Sequence, residues 1–109
     1  MHPLHLLAWF GGGAMLMNAV PHLVSGLMGR RFPSPFAKPP GKGLSSATVN
    51  MLWGFANLVA AYFLLCQVGH FDLRRISDVA APASGMALLG LMLARHFGSQ
   101  NGGSGPDAA

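Results

Sequence analysis

The sequence predicts an all-α integral membrane protein with three transmembrane helices, the first of them kinked at Pro21. Three observations support this fold class: 51% of the 109 residues are hydrophobic, only 9% are charged, and every Lys and Arg lies outside three long uncharged stretches. Soluble chains carry about 25% charged residues and spread them along amphipathic helices. The uncharged stretches cover residues 4–29, 43–71 and 79–94.

A single three-helix membrane domain is expected over residues 1–98. About 20 mainly apolar residues are needed to cross the hydrocarbon core of a bilayer. The predicted spans are residues 4–28, 46–68 and 79–97. The Gly- and Ser-rich tail, residues 99–109, is predicted to be disordered.

The first helix has clear start and stop signals. Pro3 suits the first helical position, where a missing N–H costs nothing, and Gly29 is placed to end the helix before the cations Arg30 and Arg31. Pro21 lies inside the helix, where it removes a backbone hydrogen bond and favours a bend. The helix is therefore expected to be continuous but kinked.

A proline-rich basic loop follows, over residues 30–43. Its four prolines, two glycines and four cations favour an extended loop rather than a helix or a regular strand. Aromatic rings and cations of this kind meet lipid headgroups at a membrane surface, or they dock to a protein partner. The candidate residues for this role are Arg30, Arg31, Phe32, Phe36, Lys38 and Lys42.

The second and third helices have capping signals of their own. Ser45 or Ser46 is a suitable N-cap for the second helix, and Gly69 is a suitable stop. Ser77 or Asp78 is the predicted N-cap of the third helix.

The distribution of Lys and Arg predicts the orientation. With three spans, the basic loop and the C-terminal tail share one side of the membrane and carry five of the seven cations, whereas the N-terminus and the turn over residues 70–78 carry two. Because cytoplasmic loops are enriched in Lys and Arg, we expect an N-out, C-in, multi-pass protein.

Polar and small residues recur at helical spacing on the first two spans, and mainly small residues do so on the third. Lipid does not favour such stripes, so we expect them to face other helices. A histidine within a span is a candidate functional residue by default, so His22 beside Pro21 is also a candidate for binding a ligand, a proton or a metal. The full set of helix-contact or ligand candidates is Asn18, His22, Ser25, Asn50, Gly54 and Asn57.

A second polar group would gather on the N-terminal side of the membrane. His2, His5, His70 and Asp72 all fall there, and their side chains are competent metal ligands, although their spacing matches no metal-binding signature. No cofactor is therefore predicted, and a metal or a haem is kept only as an alternative. Nucleic acid is not expected as a partner, because the cations flank apolar spans instead of forming a basic face.

One segment resembles a known group of proteins. Residues 18–54 contain Asn-x-x-Pro-His, Pro-Phe-Ala and Pro-Pro-Gly motifs, and in this pattern the segment resembles small bacterial inner-membrane proteins. The resemblance covers about a third of the chain. It implies a bacterial inner-membrane location and supplies no activity and no catalytic residue.

Three functions are compatible with these patterns, and no catalytic motif favours an enzyme. The first is a small non-catalytic accessory or interaction subunit of a bacterial membrane assembly, which contacts lipid and either other membrane subunits or copies of itself. The second is a homo-oligomeric small-molecule or ion pathway, lined by the Asn18/His22 and Asn50/Asn57 faces. The third is a metal- or haem-binding redox component that uses His22.

Overall fold

The computed structural model describes residues 2–103, and three long helices account for most of them. In chain order the elements are α1 (Pro3–Leu27), β1 (Phe32–Pro33), β2 (Leu44–Ser45), α2 (Ala47–Cys66) and α3 (Ile76–Asn101). The predicted mostly helical fold is confirmed. Two helices, α2 and α3, are long and apolar enough to cross a membrane by length and composition.

Helix α1 starts and stops where its sequence signals predict. Pro3 occupies the first turn, and the ring of His2 caps the helix by accepting a hydrogen bond from the backbone N–H of Leu4 at 3.1 Å. Gly29 follows the helix with a φ of 72°, a left-handed conformation that favours glycine. The chain remains helical through Pro21, and the kink there stays a prediction.

Helix α1 lies between α2 and α3. It packs along both of them, while α2 and α3 have no extensive contact with each other in the part of the chain that the structure describes. Both sides of α1 are therefore covered by protein. This position explains why α1 tolerates glycines, Asn18 and His22 among its apolar residues.

The basic loop contains regular structure that its composition did not predict. β1 and β2 pair antiparallel, with Phe32 opposite Ser45 and Pro33 opposite Leu44. This two-residue ladder closes the segment between α1 and α2 into a hairpin. Ser46, one of the two predicted caps, then accepts a hydrogen bond from the N–H of Val49 at 3.1 Å and begins α2.

Helix α3 differs most from its prediction. It begins at Ile76 instead of residue 79 and continues to Asn101 instead of residue 97. Its N-cap position is Arg75, with no side-chain capping bond, so the prediction of a cap at Ser77 or Asp78 was wrong. Of the tail predicted to be disordered, residues 99–101 belong to α3, and residues 104–109 lie outside the described residues.

Candidate functional site

The polar residues of α1 and α2 meet in the seam between these helices. The side-chain amide of Asn18 donates to Oδ1 of Asn57 at 3.0 Å, and Nδ1 of His22 lies 2.7 Å from Oδ1 of Asn50. Both α2 asparagines are fully buried, and His22 is only 3% exposed. Because buried polar groups are stable only when they are hydrogen-bonded, these pairs fix how α1 and α2 pack together.

Glycines bring the two helices close enough for these bonds to form. A Cβ atom at Gly54 would lie 2.9 Å from the backbone nitrogen of Leu23, so α2 approaches the backbone of α1 directly. Ser25 is half-buried, and its backbone carbonyl accepts from the N–H of Arg30 at 2.8 Å. Its hydroxyl makes no hydrogen bond with the described residues, so Ser25 is outside the polar network.

The surroundings of Asn50 determine which nitrogen of His22 carries the proton. The amide nitrogen of Asn50 is within hydrogen-bond distance of three backbone carbonyls, those of Phe32 (2.9 Å), Ser45 (3.3 Å) and Ser46 (3.0 Å). Its Oδ1 must therefore face His22, and an oxygen can only accept. Nδ1 of His22 is thus the donor, which leaves Nε2 of the neutral ring with a free lone pair.

The same asparagine ties the segment between α1 and α2 to the helix ends. We call residues 30–46 the basic platform. Besides the bonds from Asn50, the hydroxyls of Ser34 and Ser45 are 2.6 Å apart in the interior, and the N–H of Phe36 donates to Ser34 Oγ at 3.1 Å. The platform is therefore a folded unit rather than a flexible linker.

Helix α3 holds the platform from the other side. Nε2 of His96 lies 2.8 Å from the carbonyl oxygen of Gly41, and the side chain of Gln100 donates to the same oxygen at 3.1 Å. The ring of Phe97 packs 4.6 Å from that of Phe32 between centroids. The last turns of α3 thus touch a segment more than fifty residues earlier in the chain.

The predicted headgroup- or partner-binding residues all lie on the platform. Its cations are exposed, Phe36 is 62% exposed, and the half-buried Phe32 packs edge-on against His22 with centroids 5.6 Å apart. Phe32 therefore packs into the interior of the protein instead of facing outward. The residues that face outward are Arg30, Arg31, Phe36, Lys38 and Lys42.

A cleft of about 350 Å³ lies between the platform, the seam and the end of α3. His22, Trp53 and Leu93 are among the residues that line it. Nε1 of Trp53 is buried and has no hydrogen-bond partner in the part of the chain that is described. Leaving such a donor unpaired costs about 1–3 kcal/mol, and because the atom itself is buried it does not open onto the cleft.

The polar residues at the opposite end of the bundle are only partly brought together. The rings of His2 and His5 are 5.1 Å apart, and His5 and His70 line one cavity of about 340 Å³. The carboxylate of Asp72 instead accepts from the N–H of Arg74 at 2.8 Å. Within residues 2–103, no three His, Cys, Asp or Glu side chains are arranged to hold a metal ion.

This end of the bundle also contains a buried acid that sequence reasoning assigned to a cap. Asp78 is 1% exposed, pairs with Arg75 at 2.9 Å and accepts from the N–H of Asp72 at 3.0 Å. It closes the turn between α2 and α3 and lies near the positive end of the α3 dipole. The sequence signal that could have identified this ion pair is an Arg three residues before an Asp.

Trp53 and His96 were also missed as site residues. Neither residue is among the candidates that the sequence patterns indicated. Their roles depend on contacts between distant parts of the chain, which periodicity does not encode.

Comparison of the chain with protein-family models, with curated proteins and with solved structures gives no match.

Proposed function

We propose that this chain is a three-span membrane protein that serves as a non-catalytic interaction subunit of a bacterial inner-membrane assembly. The membrane part rests on an inside-out distribution of side chains. Asn50 and Asn57 are fully buried, while large apolar residues such as Phe55 and Leu91 are more than half exposed. Only 22% and 17% of the apolar windows of α2 and α3 are buried, whereas a soluble core helix is mostly buried.

In this proposal α1 is the third span. Its 25 residues correspond to about 37 Å of helix, enough for a hydrocarbon core of about 30 Å. The polar residues that lower its hydropathy face α2, and the side chains it exposes include Leu7, Val20 and Val24. A bend at Pro21 would let α1 stay in contact with both α2 and α3. The backbone carbonyl that a proline leaves without its helical hydrogen bond can be satisfied by a neighbouring membrane helix.

The proposed orientation is N-out and C-in, in the inner membrane that the resemblance of residues 18–54 implies. Single cysteines introduced into a Cys66→Ser background test it with a membrane-impermeant maleimide applied to spheroplasts. We expect Leu73→Cys and His2→Cys to be labelled from outside and Lys38→Cys only after lysis. If only Lys38→Cys is labelled from outside, the orientation is the reverse of the proposed one. If His2→Cys and Lys38→Cys are both protected from the reagent, α1 does not span the membrane.

The interaction role rests on one observation, the ordered and outward-facing platform. Most of the buried polar hydrogen bonds at the platform end of the bundle hold the platform in place. The platform presents its cations together with an exposed Phe36. A rigid basic surface with an aromatic anchor is suited to docking an acidic partner at the membrane surface. A pathway is less favoured, because the Asn18/His22 and Asn50/Asn57 faces pack against each other.

Native mass spectrometry of the chain extracted from its source membrane tests the subunit role. We expect the wild-type chain to emerge with a stoichiometric second subunit. Each basic side chain near an anionic surface contributes about 1 kcal/mol, so replacing all four platform cations with Gln should reduce recovery of that subunit by about tenfold or more. These cations are Arg30, Arg31, Lys38 and Lys42.

A control variant neutralises two exposed cations outside the platform, Arg74→Gln with Arg95→Gln. This variant should recover the partner as the wild type does. A wild-type chain that emerges alone contradicts the subunit role. Equal loss in both variants contradicts the platform as the docking surface.

A further inference from the structure

A cavity of about 780 Å³ lies between the basic platform and the last turns of α3. Pro33 and Leu44, which are opposite each other in the β1–β2 ladder, line its platform side. Arg31 comes two residues before Pro33 and Lys42 two residues before Leu44, and both cations line the same cavity. The hairpin therefore brings two cations that are eleven residues apart in the sequence to one wall.

The opposite wall comes from one face of α3. His96, Ser99 and Gln100 line the cavity, and residues at this i, i+3, i+4 spacing are neighbours on a helix surface. The side chains of His96 and Gln100 both bond to the carbonyl oxygen of Gly41, at 2.8 and 3.1 Å. Because these bonds join α3 to the platform, the two walls of the cavity are held in a fixed relation.

The positive charge of the cavity is not compensated by the described chain. Neither Arg31 nor Lys42 forms an ion pair with the described residues, where the ion pair is that of Arg75 with Asp78. The lining contains no Asp or Glu. The described carboxylates, Asp72 and Asp78, lie beside the turn between α2 and α3, at the opposite end of the bundle. An anion in the cavity would therefore meet two cations and no carboxylate.

The chemistry of the two cations favours a phosphate group. Arginine offers a planar fork that matches pairs of phosphate oxygens, and lysine adds a compact point charge. Both side chains are exposed on flexible stems, so their charged groups can reach an anion between the walls. The C-terminal end of α3 is the negative end of its dipole and disfavours an anion, so the attraction depends on Arg31 and Lys42.

We infer that this cavity binds a phosphate ester, with Arg31 and Lys42 neutralising the phosphate. Its volume is within the range of small-molecule sites, about 300–1,000 Å³, and leaves room for the alcohol that the phosphate esterifies. An anionic lipid headgroup and a soluble phosphate ester carry the same group. The lipid source is favoured by a position at the membrane surface, which rests on the proposed function, whereas binding of the phosphate itself does not.

Isothermal titration calorimetry of the full chain in maltoside micelles measures the binding. The probes are dihexanoylphosphatidylglycerol, glycerol 3-phosphate and the zwitterionic dihexanoylphosphatidylcholine. We expect saturable binding of the phosphatidylglycerol and at least about tenfold weaker binding of the phosphatidylcholine, whose own cation cancels the attraction to two basic side chains. Tighter binding of phosphatidylglycerol than of glycerol 3-phosphate assigns the site to a lipid headgroup, and the reverse or equal binding assigns it to a soluble ester. Equal binding of the two lipids, or no saturable binding of any probe, would overturn the proposal.

Two double variants with the same loss of charge locate the site. Arg31→Gln with Lys42→Gln removes both cations that line the cavity, whereas Arg30→Gln with Lys38→Gln removes two exposed platform cations that do not line it. The first variant should bind phosphatidylglycerol about tenfold more weakly or worse. The second should retain most of the affinity in 0.15 M salt, which screens exposed charges beyond about 8 Å. An equal loss in both variants would mean a general attraction to the platform and would contradict the site.

A substitution that changes no charge tests the cavity itself. Ser99→Trp places an indole where the hydroxyl of a lining residue lies, and Ser84→Trp is its control. Both serines are exposed, and both hydroxyls donate to a carbonyl of α3 itself. The first variant should lose saturable binding and the second should retain it. If Ser99→Trp binds phosphatidylglycerol as the wild type does, the cavity is not the site. The isolated chain is used throughout, so this failure is distinct from failure to recover a partner subunit.

Discussion

Gly13→Ala is expected to push α1 away from α3 and to lower the free energy of unfolding by about 2–3 kcal/mol. A Cβ atom at Gly13 would overlap the carbonyl oxygen of Pro82 and lie 2.6 Å from its Cα. The contact is reciprocal, because a Cβ at Gly85 would overlap the carbonyl oxygen of Phe10. All of these atoms are backbone, so no side-chain rotation can relieve the overlap.

Gly11→Ala provides the matched control two residues earlier in the same helix. There the nearest atom to an added Cβ is Cδ1 of Leu64 at 3.7 Å, an ordinary contact. Because alanine is favoured over glycine in a helix by about 1 kcal/mol, this variant should be as stable as the wild type or slightly more stable. Gly85→Ala should behave like Gly13→Ala.

Thermal unfolding in detergent, followed by circular dichroism, measures these differences. The two disruptive variants should melt well below the wild type and the control. If Gly13→Ala melts at or above the wild-type temperature, as Gly11→Ala should, α1 and α3 do not cross at Gly13. Equal losses in both variants would indicate a general intolerance of α1 to substitution rather than a specific crossing point.

The run of three glycines at residues 11–13 shows which helix contacts could be predicted from the sequence and which could not. Three consecutive glycines in an apolar helix predict close approach by another helix, and the end signals at Pro3 and Gly29 correctly bounded α1. Which helix approaches depends on the rotation of α1 between its neighbours. Gly12 packs against Leu65 of α2, one residue before Gly13 reaches α3, and periodicity alone could not assign these partners.

The candidate site was likewise only partly predictable. The i, i+4 spacing of Asn18 and His22 identified a polar stripe, since residues at this spacing share a helix face. The pairing of His22 with Asn50, rather than with another subunit, depends on the register of α1 against α2. The contact between His96 and Gly41 depends on α3 continuing beyond its apolar stretch. The predicted helix ended at residue 97, so it included His96 but not Gln100, which binds the same carbonyl.

Asn50→Leu is expected to be the most damaging polar-to-apolar substitution in the seam, with a loss of about 2–4 kcal/mol. The side chains are similar in size, so packing changes little. The substitution leaves the His22 Nδ1 proton without an acceptor and removes the amide donor from the carbonyls of Phe32 and Ser45. Each buried polar group left unpaired costs about 1–3 kcal/mol, and the platform loses its attachment to α2.

Asn57→Leu is the control, because Asn57 is equally buried two turns further along α2. Its loss leaves the half-buried Asn18 without its partner and removes a bond to the carbonyl of Trp53 within the same helix, so a smaller effect is expected. Trypsin cleavage after Lys42 reports the platform directly, since an anchored backbone resists proteolysis in proportion to the free energy of local opening. Cleavage should accelerate in Asn50→Leu and remain near the wild-type rate in Asn57→Leu. If both variants are cleaved alike, Asn50 does not hold the platform, and the proton assignment on His22 that depends on its orientation fails with it.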